Sequence, residues 1–296
     1  MNNTVLLRTA LTGTAPAVWG TTYVVTTQLL PAGYPLFDGL MRALPAGLVA
    51  MLATRTLPRG TWWWKAAVLG VLNMGLTFPV LFIAAEQLPG GVAAILGAAQ
   101  PLLVAVLAVA ALRETPSAST FAWGLVGLVG ITLVVTTPGA DFDPAAVATR
   151  LVATASMALG VVLTKRWGRP DGVGATGFAG WQLAAGGVFL VPVTFTVEGA
   201  PPAIDAAAAL GYAWLGIVGA LLTYPLWFNG IQTLPVTSVA ILVLLSPLVA
   251  TGLGVVIVGE TLDVVQLLGF VLALAAVLGA QLATKSPTPV LERTPA

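Results

Sequence analysis

TFPVLFIAAEQLPGGVAAILGAAQPLLVAVLAVAALRET, residues 77–115, and TYPLWFNGIQTLPVTSVAILVLLSPLVATGLGVVIVGET, residues 223–261, are the two stretches that decide the fold. Laid over each other without a gap, 146 positions apart, they put Thr77, Pro79 and Phe82 on Thr223, Pro225 and Phe228. Leu88-Pro89 then falls on Leu234-Pro235, Ala94-Ile95-Leu96 on Ala240-Ile241-Leu242, Pro101-Leu102 on Pro247-Leu248, Val109 on Val255, and Glu114-Thr115 on Glu260-Thr261. Apolar stretches match one another by chance, but an ungapped coincidence of prolines, aromatics and a Glu-Thr pair marks an internal duplication. Upstream the offset becomes 140, pairing Gly20 with Gly160, Arg42 with Gln182 and Gly47 with Gly187. The second half therefore has about six extra residues between its second and third helices.

The solvent of this chain is lipid. Of 296 residues, 58% are hydrophobic and 8% charged, too few ionic groups to cover a water-facing surface. The net charge of +1 points to no nucleic-acid partner. With neither cysteine nor histidine there is no disulfide framework, no thiolate or imidazole metal site, and no serine-histidine hydrolysis. No cofactor and no catalytic residue is expected.

A spanning helix needs roughly 20 mainly apolar residues. Ten segments fit, near 10–30, 36–54, 64–86, 91–112, 119–137, 146–165, 174–197, 207–231, 235–258 and 264–283. Breaks such as Leu88-Pro89-Gly90-Gly91 and Leu234-Pro235 combine a helix-ending proline with a releasing glycine. The first segment follows a short N-terminus with Arg8, as a signal peptide would, but its likeness to the sixth reads as a retained helix. The expected fold is all-α and integral to the membrane: ten transmembrane helices in two repeats, residues 1–139 and 140–284, followed by a disordered cytoplasmic tail, 285–296. An odd number of helices per half inverts the second half relative to the first, a recurring transporter design.

Lysine and arginine orient the chain. The N-terminus, the even-numbered loops and the C-terminus hold Arg8, Arg55, Arg59, Lys65, Arg113, Lys165, Arg166, Arg169, Lys285 and Arg293, leaving only Arg42 and Arg150 elsewhere. By the positive-inside rule both termini are cytoplasmic, in a bacterial-type inner membrane.

Two five-helix halves with short loops, Gly-Glu-Thr at 259–261 after helix nine and Arg-Glu-Thr at 113–115 after helix four, resemble the ten-helix EamA-like exporters of the drug/metabolite transporter superfamily. The resemblance covers nearly the whole chain. It implies export of amino acids or related metabolites through a cavity between the halves, the bacterial aromatic amino-acid exporters being the type suggested. Only the two glutamates and the mid-helix prolines carry over from it.

Proline inside a spanning helix removes a donor and leaves the carbonyl four residues earlier without its usual partner. Pro101 and Pro247 would free Gly97 and Val243, with Gln100 and Ser246 adding polar groups at the same depth, while Pro79 and Pro225 would free Gly75 and Leu221. These four prolines are the expected hinges; the alternative is a packing kink. Phe78 and Phe82 are matched by Tyr224 and Phe228 at i, i+4 spacing, which keeps each pair on one helix face. With Trp19, Tyr23, Trp181 and Trp227 they would line a site for an apolar or aromatic solute; the alternative is ordinary packing. Trp62, Trp63 and Trp64 read as an interfacial belt. Arg42, two turns into helix two, is either a docking point or gate for a substrate carboxylate, or a local ion pair with Asp38 whose head snorkels outward; its repeat mate Gln182 is neutral. Glu114 and Glu260 read as helix-end caps, and Glu86 as a solvated end. Gly124, Gly127 and Gly130 read as a close helix contact. Helices one and six contain no acidic residue and no other helix has one near its centre, which argues against a small glutamate-coupled multidrug antiporter.

The expected function is therefore transport of a small organic metabolite by alternating access, with the bilayer and the solute as partners and a monomer as the plausible state. A sugar-phosphate or nucleotide-type carrier would need convergent basic residues, and only Arg42 lies inside. A non-transporting receptor is the alternative from another class.

Overall fold

The computed structural model describes residues 3–87, 100–114, 117–135, 144–259 and 261–283. The Leu88–Gly91 break, the Gly97 carbonyl, Thr115, the loop carrying Asp141 and Asp143, Glu260 and the tail from Lys285 lie outside the described residues.

Every regular element among the described residues is helical. In chain order they are α1 (Asn3–Trp19), α2 (Thr22–Leu29), α3 (Pro35–Thr54), α4 (Trp62–Gly70), α5 (Thr77–Gln87), α6 (Gln100–Leu112), α7 (Ala118–Val135), α8 (Pro144–Trp167), α9 (Ala175–Val197), α10 (Ala206–Ala213), α11 (Thr223–Thr233), α12 (Val236–Leu242), α13 (Leu245–Leu253) and α14 (Val264–Ala283). Wider π-helical turns join α4 to α5 at Val71–Gly75, join α10 to α11 at Trp214–Leu222, and follow α13 at Gly254–Val258. By length and composition six stretches can cross a bilayer: Pro35–Thr54, Trp62–Glu86, Ala175–Val197, Ala206–Thr233, Val236–Ile257 and Val264–Leu282. Gln100–Leu112 and Ala118–Leu133 are shorter apolar helices. Two expected spans differ from that pattern. The first starts earlier than its apolar core, at Asn3, and is interrupted at Gly20-Thr21; α8 carries Thr149, Thr154, Ser156 and Thr164 along its length.

Local chemistry sets the ends. Pro35 opens α3, where a missing N–H loses nothing, and the Glu198 carboxylate at the end of α9 accepts the next two orphan amides, Leu36 N–H at 2.6 Å and Phe37 N–H at 2.9 Å. Glu86 accepts Gly33 N–H at 3.0 Å and so acts as a loop clamp between spans. Asp205 caps α10 through Ala208 N–H at 2.8 Å. At the opposite end of the bundle Lys165 donates to the carbonyls of Gln232 and Leu234, 3.2 and 2.9 Å away, where a cation complements the C-terminus of α11.

Helix pairing relies on small residues. α3 packs along α9 and α7 along α14. A Cβ on Gly187 would lie 2.6 Å from Leu44 Cβ, and one on Gly130 would lie 2.6 Å from Ala273 N, so backbones approach to a distance no larger residue permits. The pairings are also reciprocal: α1 lies on α11 and α13, while α8 lies on α5, the turn at 71–75, and α6. The outer face is apolar, with Leu52 76%, Val256 82% and Leu282 77% exposed, a surface suited to lipid.

Candidate solute cavity

The two widened turns, at 71–75 and 214–222, occupy matching places in the halves, each just before a proline. Pro79 and Pro225 are the third residues of α5 and α11, within a first turn where no intrahelical donor is owed. Ahead of them the ladder widens, Leu76 N–H reaching back five residues to the Val71 carbonyl at 2.9 Å. In the second half this places the Gly219 carbonyl where side chains reach it. It accepts from Trp19 Nε1 at 3.1 Å, from Arg42 Nη2 at 3.2 Å and from Thr223 Oγ1 at 2.9 Å.

The ninth expected span, 235–258, bends differently from expectation. It is interrupted at Val243-Leu244, and Ser246 N–H donates to the Val243 carbonyl at 3.0 Å, so Pro247 does not leave that carbonyl free for a solute. A tighter three-residue turn takes up the bond that proline removes. Pro101 is the second residue of α6.

Between these bends lies a cavity of about 110 Å³, several times the roughly 10–15 Å³ that one water requires. Of the expected residues, Trp19, Tyr23, Arg42, Phe78, Gln100, Tyr224, Ser246 and Pro247 line it. Among the described residues Thr77, Leu81, Ala153, Thr154, Met157 and Leu244 also line it and were not expected, and Val243, whose carbonyl was the expected contact, lines it too. Ala153, Thr154 and Met157 sit on one face of α8, the repeat partner of the helix carrying Trp19, and that partnership was the available signal.

The remaining expected residues stand behind the wall. Phe82 is fully buried in the core. Trp227 packs edge-on against Trp19 at 5.2 Å, and Phe228 lies 5.6 Å from Tyr224 and 5.8 Å from Phe178. Phe178 continues to Trp62 and Trp181, and the Trp181 indole donates to the Thr56 carbonyl at 2.9 Å. These rings form an unbroken stack from Tyr224 to the loop after α3. Trp62 therefore departs from the expected belt, turning inward, while Trp63 and Trp64 stay exposed. Gln182 is fully buried and accepts from Asn73 Nδ2 at 2.8 Å, with Thr164 Oγ1 at 3.4 Å from the same nitrogen. Pro79, Pro101 and Pro225 shape the helices beside the cavity without lining it.

Arg42 neither snorkels nor pairs with Asp38. It is 1% exposed, donates from Nη1 to Thr22 Oγ1 at 3.1 Å, and lies 4.8 Å from the Phe78 ring centre. Asp38, equally buried, accepts from the Tyr212 hydroxyl at 2.8 Å, and its Oδ2 has no partner. Arg42 Nε and Gln100 Nε2 are likewise buried and unpartnered. Among the described residues no cluster of three or more potential metal ligands occurs.

The sequence model of the EamA-like transporter family matches this chain twice, over residues 9–136 and 145–281. Protein PecM of Dickeya dadantii (strain 3937) is 43% identical over 264 residues, 89% of this chain and 89% of its own. The inner membrane transporter YedA of Escherichia coli (strain K12) is 29% identical, covering 88% of this chain and 86% of its own. The transporter YwfM of Bacillus subtilis (strain 168) is 27% identical, with 88% of each chain covered. One solved crystal structure shares the fold with a TM-score of 0.76 at 20% identity, covering 94% of this chain and 99% of its own.

Proposed function

Because this chain belongs to the EamA-like transporter family, we propose that it exports a small organic metabolite, an amino acid of apolar or aromatic character, through the cavity between its halves. The observation that carries the reading is the composition of the wall: rings from both halves, Trp19, Tyr23, Phe78 and Tyr224, face a space that also holds Arg42, Gln100 and Ser246. A mainly apolar site with a few converging polar groups is what a solute of that kind needs.

The mechanism is alternating access by two inverted five-helix repeats, residues 1–139 and 140–284, ten spans in all. Three observations support it. The family model matches each half separately, the widened turns recur before Pro79 and Pro225, and exchanging the halves turns the pairing of α1 with α13 into that of α8 with α6. Side-chain bonds repeat as well: Thr223 donates to Gly219, and its mate Thr77 donates to Asn73, the mate of Gly219. The basic bias of the even-numbered loops supports cytoplasmic termini in an inner membrane. In that orientation the cavity lies toward the outside, and the stack from Phe228 to Trp62 closes the inner side.

Counterflow into proteoliposomes loaded with individual amino acids tests the reading. Accumulation of aromatic or branched solutes is expected, and movement of no small solute overturns it.

A further inference from the structure

Arg42 brings a permanent positive charge into the cavity wall, since a guanidinium keeps its proton inside proteins. Its contacts, the Thr22 hydroxyl, the Gly219 carbonyl and the Phe78 ring, are all neutral, and Nε has no partner. The carboxylate one helical turn away does not neutralise it: Asp38 is bound to Tyr212, leaves Oδ2 bare, and is absent from the cavity wall. A second unpartnered donor, Gln100 Nε2, belongs to the same wall. No aspartate or glutamate lines the cavity among the described residues, and the sequence leading into Gln100, residues 88–99, contains no ionisable side chain. A buried cation with no counter-ion carries an uncompensated desolvation penalty. An entering anion relieves that penalty; an entering ammonium group meets a like charge and finds no carboxylate.

We propose that the solute is bound as an organic anion: Arg42 and Gln100 hold the carboxylate of an aromatic or apolar monocarboxylic acid, and the cavity offers no ionic partner to an α-ammonium group. The inference rests on the reading of this cavity as the solute site. An amino acid is then held by its carboxylate and its ring, and the corresponding acid without the amino group binds at least as tightly.

Three probes with the same ring isolate the groups: phenylpropanoate, phenylalanine and phenethylamine, titrated calorimetrically into the purified full chain in nanodiscs. Phenylpropanoate is expected to bind at least as tightly as phenylalanine, and phenethylamine about tenfold or more weaker than phenylpropanoate. Arg42→Gln, which copies the residue at the mate position, should weaken the acid about tenfold and erase the preference over the amine, while Arg42→Lys keeps the preference. Tighter binding of phenylalanine than of phenylpropanoate, or an amine within tenfold of the acid, overturns the anion inference and leaves the solute-site reading standing. Binding of none of the three also overturns it, and proteoliposome counterflow then shows whether the solute-site reading falls too. Should Arg42→Gln fail to fold, the order of the three probes on the unaltered chain decides alone.

Discussion

Arg42 donates to the carbonyl of Gly219 across 3.2 Å, and the repeat mates of these two residues, Gln182 and Asn73, hydrogen-bond to each other at 2.8 Å. The same pair of helix positions is thus bonded in both halves. Arg42 of the first pair lines the cavity, whereas the second pair is sealed in the core, with Gln182 fully buried and Asn73 2% exposed.

Asn73→Ala and Gln182→Ala should each destabilise the chain by about 1–3 kcal/mol, since either leaves a buried amide without its partner. The double variant should cost less than the sum, with a coupling of about 0.5–1.5 kcal/mol. Unfolding in mixed micelles measures all three; strict additivity would show that the bond contributes nothing.

Glu198→Ala should cost about 1–2 kcal/mol, because its carboxylate satisfies two amides at the N-terminus of α3. Glu198→Gln keeps an acceptor and loses the charge, and should fall in between. Hydrogen exchange at Leu36 and Phe37 reports the cap directly, and unchanged protection in Glu198→Ala would refute it.

Gly187→Val should cost about 3 kcal/mol or more, because the added carbons meet Leu44 backbone and side chain between α3 and α9. Gly252→Ala, where nothing lies within 4 Å of the added Cβ, should be neutral. Recovery of monodisperse protein after detergent extraction separates the two.

Pro79→Ala and Pro225→Ala restore a backbone donor next to the widened turns, and should slow turnover several-fold while changing stability by no more than about 1 kcal/mol, as expected of hinges rather than packing elements. Counterflow rates together with melting temperatures check this. Unaltered turnover in both variants would mark the prolines as packing kinks.

Much of the fold was legible because hydropathy and punctuation act locally: Pro35 and Leu234-Pro235 set helix ends that sequence alone can locate to a few residues, whereas the break at Gly20-Thr21 carries no such punctuation. The cavity was legible in part, for a physical reason. Duplication offers two equivalent candidates for every position, and periodicity cannot decide between them. Arg42 and Gln182 are such a pair, and only the way the halves are packed puts Arg42 on the cavity and Gln182 behind it. Thr154 and Met157 carry no chemistry that stands out in a chain with many threonines and apolar residues. Val243 shows a further limit: proline predicts a missing donor, but a neighbouring amide, here Ser246 N–H, can take the vacancy.

The Gly219 carbonyl has two lone pairs and three side-chain suitors, Trp19, Arg42 and Thr223. An oversubscribed acceptor is easily left by any one of them, because the two that remain still satisfy it. With a carboxylate solute, as proposed, the guanidinium would turn from the protein to the incoming anion without orphaning the atom it leaves, and would return when the anion departs. Capture and release under that proposal would be a swap between acceptors rather than the breaking of a bond, which would keep a deeply buried charge from holding its cargo too long.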